Sequence, residues 1–113
     1  MYTPSKNYLN CHIAGFAYWD GLGVMEDLKI GTALSLVCEP DCPYDPKAVA
    51  LYYEETKIGY VPRLDNSDLY TLLFFGHTDV FEVKISAIYP DKHPEQRYSI
   101  AVSVRDNRVS EEL

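Results

Sequence analysis

The chain has 113 residues, of which 47% are hydrophobic and 24% charged, and its net charge is −7. That length suits one domain that buries about two-thirds of its unfolded surface, and the composition is not that of a disordered chain. No apolar run is long enough to span a bilayer and no basic leader precedes one, so the expected address is the cytosol and no membrane partner is expected.

The acidic excess is uneven: residues 1–56 carry three basic and eight acidic groups, residues 57–113 seven and nine. Such a field repels polyanions at long range, so any nucleic-acid binding must come from a local site. Three cysteines, an odd number, argue against a disulfide framework.

One domain over residues 1–113 is expected, with its core at about 7–106 and frayed ends at 1–6 and 107–113. The dominant signal is β. Asn7 to Tyr18 is rich in aromatic and aliphatic residues and reads as a first strand, with Gly15 at a bulge or close approach; a Gly-rich turn follows at Asp20 to Gly23. Ala33 to Glu39 alternates as a second strand, and Pro40, Pro43 and Pro46 then hold an irregular loop. Ala48 to Tyr53 and Lys57 to Val61 read as a hairpin about Glu54-Glu55-Thr56.

One helix is predicted over about Ser67 to Phe75. Asp65 or Asn66 would cap it, Leu69, Leu72 and Leu73 would form its apolar face, and Gly76 would end it. Val80 to Ile88 and Tyr98 to Val104 alternate as strands five and six around a polar Pro90 to Gln96 connection. The fold class is therefore mainly β with one short helix: a six-stranded, OB-like or SH3-like curved sheet or barrel.

The stretch Leu36 to Leu51, LVCEPDCPYDPKAVAL, carries the most information. Its prolines stiffen a loop whose tip presents Tyr44 and Asp45, an aromatic face beside an acceptor-only carboxylate. Taken together with Ile13-Ala14-Gly15-Phe16 and Tyr18, Leu36 with Glu39-Pro40, Pro43-Tyr44-Asp45 with Ala48-Val49, and Ile58-Gly59-Tyr60-Val61-Pro62, the chain resembles the HIRAN family over roughly residues 12 to 90. That family comprises small β domains found alone in bacteria and at the front of SNF2-type DNA-dependent ATPases.

The resemblance implies an OB-like barrel whose groove captures single-stranded DNA ends with a free 3′-hydroxyl, a role suited to DNA repair or processing. It also implies an ATPase or nuclease partner supplied in trans. On this reading a terminal base stacks on Tyr44 or Tyr18, worth about 1–3 kcal/mol. Asp45 accepts a hydrogen bond from the terminal sugar hydroxyl and repels a phosphate there. Gly59 lets a phosphate approach the backbone, Tyr60 adds a ring, and Arg63, with Lys57 beside it, supplies positive charge. Three positions depart from the family pattern: Cys42 and Lys47 stand where many members have Asn, and Ala17 stands where some DNA-binding members have a basic residue. Lys47 is the candidate replacement for that cation.

No cofactor is expected. Cys11 and His12 are consecutive on a strand and point to opposite faces, and Cys38-x3-Cys42 lacks a second pair, so zinc fits poorly. Asp41 with Asp45, or Asp65 with Asp68, reads as turn and cap chemistry before it reads as a cation site. His12, His77 and His93 have no nucleophile or carboxylate at a recognisable spacing and no phosphate-binding G-x-x-x-x-G-K-[ST] occurs, so no enzyme is expected. The rival reading is a protein-interaction module that docks a partner by strand addition or through an aromatic patch.

Overall fold

Period-two alternation decides the architecture. In the computed structural model, which describes residues 5–16, 19–43 and 45–105, six strands form one antiparallel sheet: β1 (Ser5–His12), β2 (Ala33–Glu39), β3 (Ala48–Tyr53), β4 (Thr56–Tyr60), β5 (Phe81–Ile88) and β6 (Tyr98–Arg105). Their order across the sheet is β1-β6-β5-β2-β3-β4. The sheet curls on itself, and the chain just past β1 meets the end of β4. Ala14 and Tyr60 exchange two main-chain hydrogen bonds of 2.8 Å, tying the two edges together.

Gly59 makes that contact possible. An ideal Cβ on this residue would lie 2.5 Å from Ile13 Cγ2 and 2.7 Å from the Ala14 carbonyl oxygen, and the backbone φ is +153°. The concave side is filled by Ile13, Phe16, Val49, Leu51, Ile58, Val83, Ile85, Ile100 and Val102, all buried. The Phe16 and Tyr98 rings pack there with centroids 4.9 Å apart. Helix α1 (Ser67–Phe74) closes this core with Leu69 and Leu73. A second helix, α2 (Pro94–Arg97), is a single turn within the polar connection before β6.

Several expectations are corrected. The first strand ends at His12 and not at Tyr18, because Gly15 turns the chain at φ +71°. It starts earlier than expected, since Ser5 and Lys6 pair with Arg105 and Val104. The Gly-rich stretch opens a 3-10 helix, Asp20–Asp27, instead of a simple turn. Asn66 precedes α1 but its side chain makes no cap; the helix starts with the Tyr70 N–H donating to the Asn66 carbonyl over 2.8 Å. Leu72 is exposed, so the buried stripe of this two-turn helix is Leu69 and Leu73 alone. Gly76 does end the helix at φ +91°, its N–H donating to the Leu73 carbonyl. Residues 1–4 and 106–113, which include most of the ends expected to fray, lie outside the described residues. Among the described residues no helix is long and apolar enough to cross a membrane.

Candidate nucleic-acid interface

On the convex side of β2-β3-β4 the register assembles a polar cluster. Glu39 lies opposite Ala48, and Ala50 opposite Tyr60, so the two alanines leave room for longer side chains to meet above β3. β4 contains one extra residue: Gly59 pairs with Leu51 but Lys57 pairs with Tyr52, leaving Ile58 between them. This bulge turns Ile58 into the core and brings Lys57 and Tyr60, three residues apart, to the same face.

The result is a closed network. Lys57 Nζ donates to Glu39 Oε2 over 2.7 Å and to the Tyr60 hydroxyl over 2.6 Å, while that hydroxyl donates to Glu39 Oε1 over 2.7 Å. The same ammonium sits 3.8 Å from the centre of the Trp19 ring, which is set edge-on to Tyr60 at 5.8 Å. Burial opposes the charged form of Glu39, but the hydrogen bonds from Lys57 and Tyr60 and the Lys57 charge hold its carboxyl below the ordinary range. Burial likewise works against the Lys57 ammonium, and the bonds to Glu39 and Tyr60 outweigh it, leaving its pKa raised. The Tyr60 hydroxyl is raised, by burial first.

Around Trp19, Cys42 and Tyr60 runs a groove in two halves. One half, about 430 Å³, continues over Glu39, Pro40, Asp41 and Lys57; the other, about 400 Å³, continues over Asp45, Ala48, Val61 and Arg63. Trp19 is 39% exposed and is common to both. A larger cleft of about 480 Å³ lies where β2 and β5 separate beyond Leu34 and Val83, and none of the residues expected at the site lines it.

In the second half, Asp45 is built in from three sides. Its Oδ1 accepts the Lys47 main-chain N–H over 2.9 Å, closing an Asx turn, and its Oδ2 accepts the Asn66 side-chain amide over 2.8 Å. Arg63 Nε stands 4.0 Å from Oδ1, with the Arg63 side chain 70% and the Asp45 side chain 19% exposed. Asn66, only 2% exposed, is thereby tied to the loop. A carboxylate offers about four lone-pair sites, so two made hydrogen bonds leave capacity for a ligand donor.

The expected site residues thus divide. Asp45, Tyr60 and Arg63 line one groove. Lys47 is exposed and brings its main-chain N–H to Asp45. Gly59 is buried, and its missing side chain makes room for Ile13 and Ala14. Lys57 is present, but paired with Glu39. Tyr18 and Tyr44, with Ala17, lie outside the described residues. Sequence reasoning missed Trp19 as a groove wall, Glu39 as the partner of Lys57 and Asn66 as the anchor of Asp45. The pair of alanines flanking Val49 was the available signal for the first two. Among the described residues no three His, Cys, Asp or Glu side chains gather as metal ligands.

The HIRAN domain family model matches residues 6–106. The chain belongs to the HIRAN domain family. HIRAN domains are nucleic-acid-binding modules, binding rather than catalytic. A crystal structure of a protein from Lactobacillus plantarum is similar at a TM-score of 0.75, with 19% identity over 91% of this chain and 97% of that one. The crystal structure of the HIRAN domain of human HLTF is similar at 0.65, with 14% identity over 89% of this chain and 78% of that one. At these identities the likeness is one of fold. Among curated proteins no sequence match is found. Both solved structures share the overall fold of this chain, and the second is itself a HIRAN domain.

Proposed function

We propose that this HIRAN domain captures the end of a single-stranded nucleic acid, a DNA strand with a free 3′-hydroxyl, in the groove across Trp19 and Tyr60. The observation that carries the reading is the exposed Trp19 ring sharing one groove with an anchored carboxylate, Asp45, and the exposed guanidinium beside it, Arg63. A terminal base stacks on the indole and on the ring of Tyr18 or Tyr44, a term indifferent to base identity and to the chain's net charge. The sugar hydroxyl donates to Asp45, and Arg63 meets the phosphate on the 5′ side. A 3′-phosphate brings its charge against Asp45 and is disfavoured. Lys47, exposed beside Asp45, adds positive charge at the rim. Such capture suits repair or processing of DNA ends, with an ATPase or nuclease acting in trans.

Trp19 is the chain's single tryptophan and reports directly on its own site. Titration of a twelve-nucleotide single strand at low salt, followed by indole fluorescence, should show quenching and tighter binding of the 3′-hydroxyl form than of the 3′-phosphate or circular form. Trp19→Ala should weaken binding of the hydroxyl form by about 1–3 kcal/mol, read with a labelled strand. Asp45→Ala should narrow the preference for the 3′-hydroxyl form over the other two. Equal affinity for all three in the unaltered protein refutes end capture.

A second reading rests on a different surface. Leu64, Phe74 and Phe75, around the two ends of α1, are exposed, which is where a partner protein would dock. Phe74→Ser with Phe75→Ser should leave oligonucleotide titrations unchanged and abolish association with such a partner.

A further inference from the structure

The two halves of the groove differ in charge. Beside Asp45 the cation is Arg63, whose side chain is largely in solvent. Beyond Trp19 the charged residues are Glu39, Asp41 and Lys57, a formal sum of −1, and the ammonium is already engaged by Glu39, by the Tyr60 hydroxyl and by the indole face. An ammonium has three donors and a compact charge. A phosphate that entered this half would therefore have to break a 2.7 Å ion pair and leave Glu39 unpaired, with its carboxylate facing the newcomer.

We infer that Glu39 is a specificity-determining residue: by holding Lys57 it denies the Trp19–Pro40 half of the groove to phosphate, so that a strand ends there and cannot run through. This inference rests on the end-capture reading above. It adds that discrimination against a continuing backbone is set in this half, by an internal competitor for the cation, as well as by Asp45. Asp41, exposed on the rim of the same half, adds repulsion of the same sign. Small uncharged groups, a base edge or a terminal sugar, meet no such barrier.

The test compares the full chain with Glu39→Gln, Glu39→Gln combined with Lys57→Met, and Asp41→Asn, each checked for folding by its thermal midpoint. The probes are a twelve-nucleotide oligothymidine with a 3′-hydroxyl, the same strand with a 3′-phosphate, and its circular form. Glu39→Gln frees Lys57, and its affinity for the circular and 3′-phosphate probes should rise by roughly fivefold or more, the order of one added phosphate contact. The log–log salt dependence for the circular probe should steepen by about 0.7, one more neutralised phosphate on a single strand. Adding Lys57→Met should cancel both changes. Asp41→Asn, which removes no described contact, should move the ratio of circular to hydroxyl affinity in the same direction by a smaller factor, and it carries the test if Glu39→Gln does not fold. Unchanged ratios in folded Glu39→Gln, or a gain that survives loss of Lys57, overturn the inference. The unaltered protein's preference among the probes tests end capture separately, so the two fail by different results.

Discussion

Asn66 donates its side-chain amide to Asp45 Oδ2 across 2.8 Å, joining the residue before helix α1 to a loop 21 positions earlier. Asn66 is almost wholly buried, so the bond is shielded from water and both partners are held. Asn66→Ala should cost about 1–3 kcal/mol of stability, the penalty for leaving the carboxylate short of a donor. Because Asp45 then loses one of its two anchors, discrimination between 3′-hydroxyl and 3′-phosphate strands should fall as well. Urea denaturation and paired titrations read the two effects; a stability loss with discrimination intact would make Asn66 a packing residue only.

Gly59→Ala should be damaging out of proportion to one methyl group. The added carbon would meet Ile13 Cγ2 and the Ala14 carbonyl well inside contact distance. Relief requires the chain after β1 to move away from β4, breaking the bridge between Ala14 and Tyr60. Overpacking of this kind costs about 1–3 kcal/mol, and the main-chain obstacle places this site at the upper end. Faster hydrogen exchange at the Ala14 and Tyr60 amides would locate the damage.

The Glu39–Lys57 pair predicts a pH profile. The folded-state pKa of Glu39 lies below its ordinary value of 4.5, so its contribution is complete above that value and is lost as pH falls through the folded pKa. Lys57 lies above its ordinary 10.5, so its contribution is complete below that value and is lost as pH rises through the folded pKa. The denaturation midpoint should therefore drop on the acid side from about pH 4.5 downward. Glu39→Gln should reduce that drop and cost about 1–3 kcal/mol at neutral pH.

The thiols should react unequally. Burial, with the charge of Asp65 adding to it, pushes the Cys11 thiol up to about 12, so almost no thiolate exists there at pH 8. Cys42 is half-buried and lines both halves of the groove. Iodoacetamide at pH 8 should label Cys42 well before Cys11, and a bound oligonucleotide should slow the labelling of Cys42 alone. Unslowed labelling under saturating oligonucleotide would place the ligand elsewhere.

Much of the fold was legible because alternation is a local property. Ala33–Glu39 and Ala48–Tyr53 have the bounds that their apolar pattern predicts, and the glycine after Phe75 ends α1 as expected. The 3-10 helix after Trp19 escaped because its glycines read as a turn. The cap failed because the Asn66 backbone is already helical and its side-chain amide is turned to Asp45, remote in sequence. Half of the candidate site was legible for the same reason: Asp45, Tyr60 and Arg63 belong to short segments with their own turn and strand signals. The Glu39–Lys57 pair and the position of Trp19 depend on a bulge and on two small residues in the strand between, and pairwise spacing does not reveal such geometry.

The surplus residue at Ile58 gives the ligand chemistry an unusual dependence on counting. Were the bulge straightened with Ile58 retained, strict alternation back from Tyr60 would turn Ile58 outward, point Lys57 toward the hydrocarbon interior, and leave the Glu39 carboxylate without a counterion. The sheet could still pair, with every chemically important side chain retained, yet its outer wall would carry a different electrical pattern.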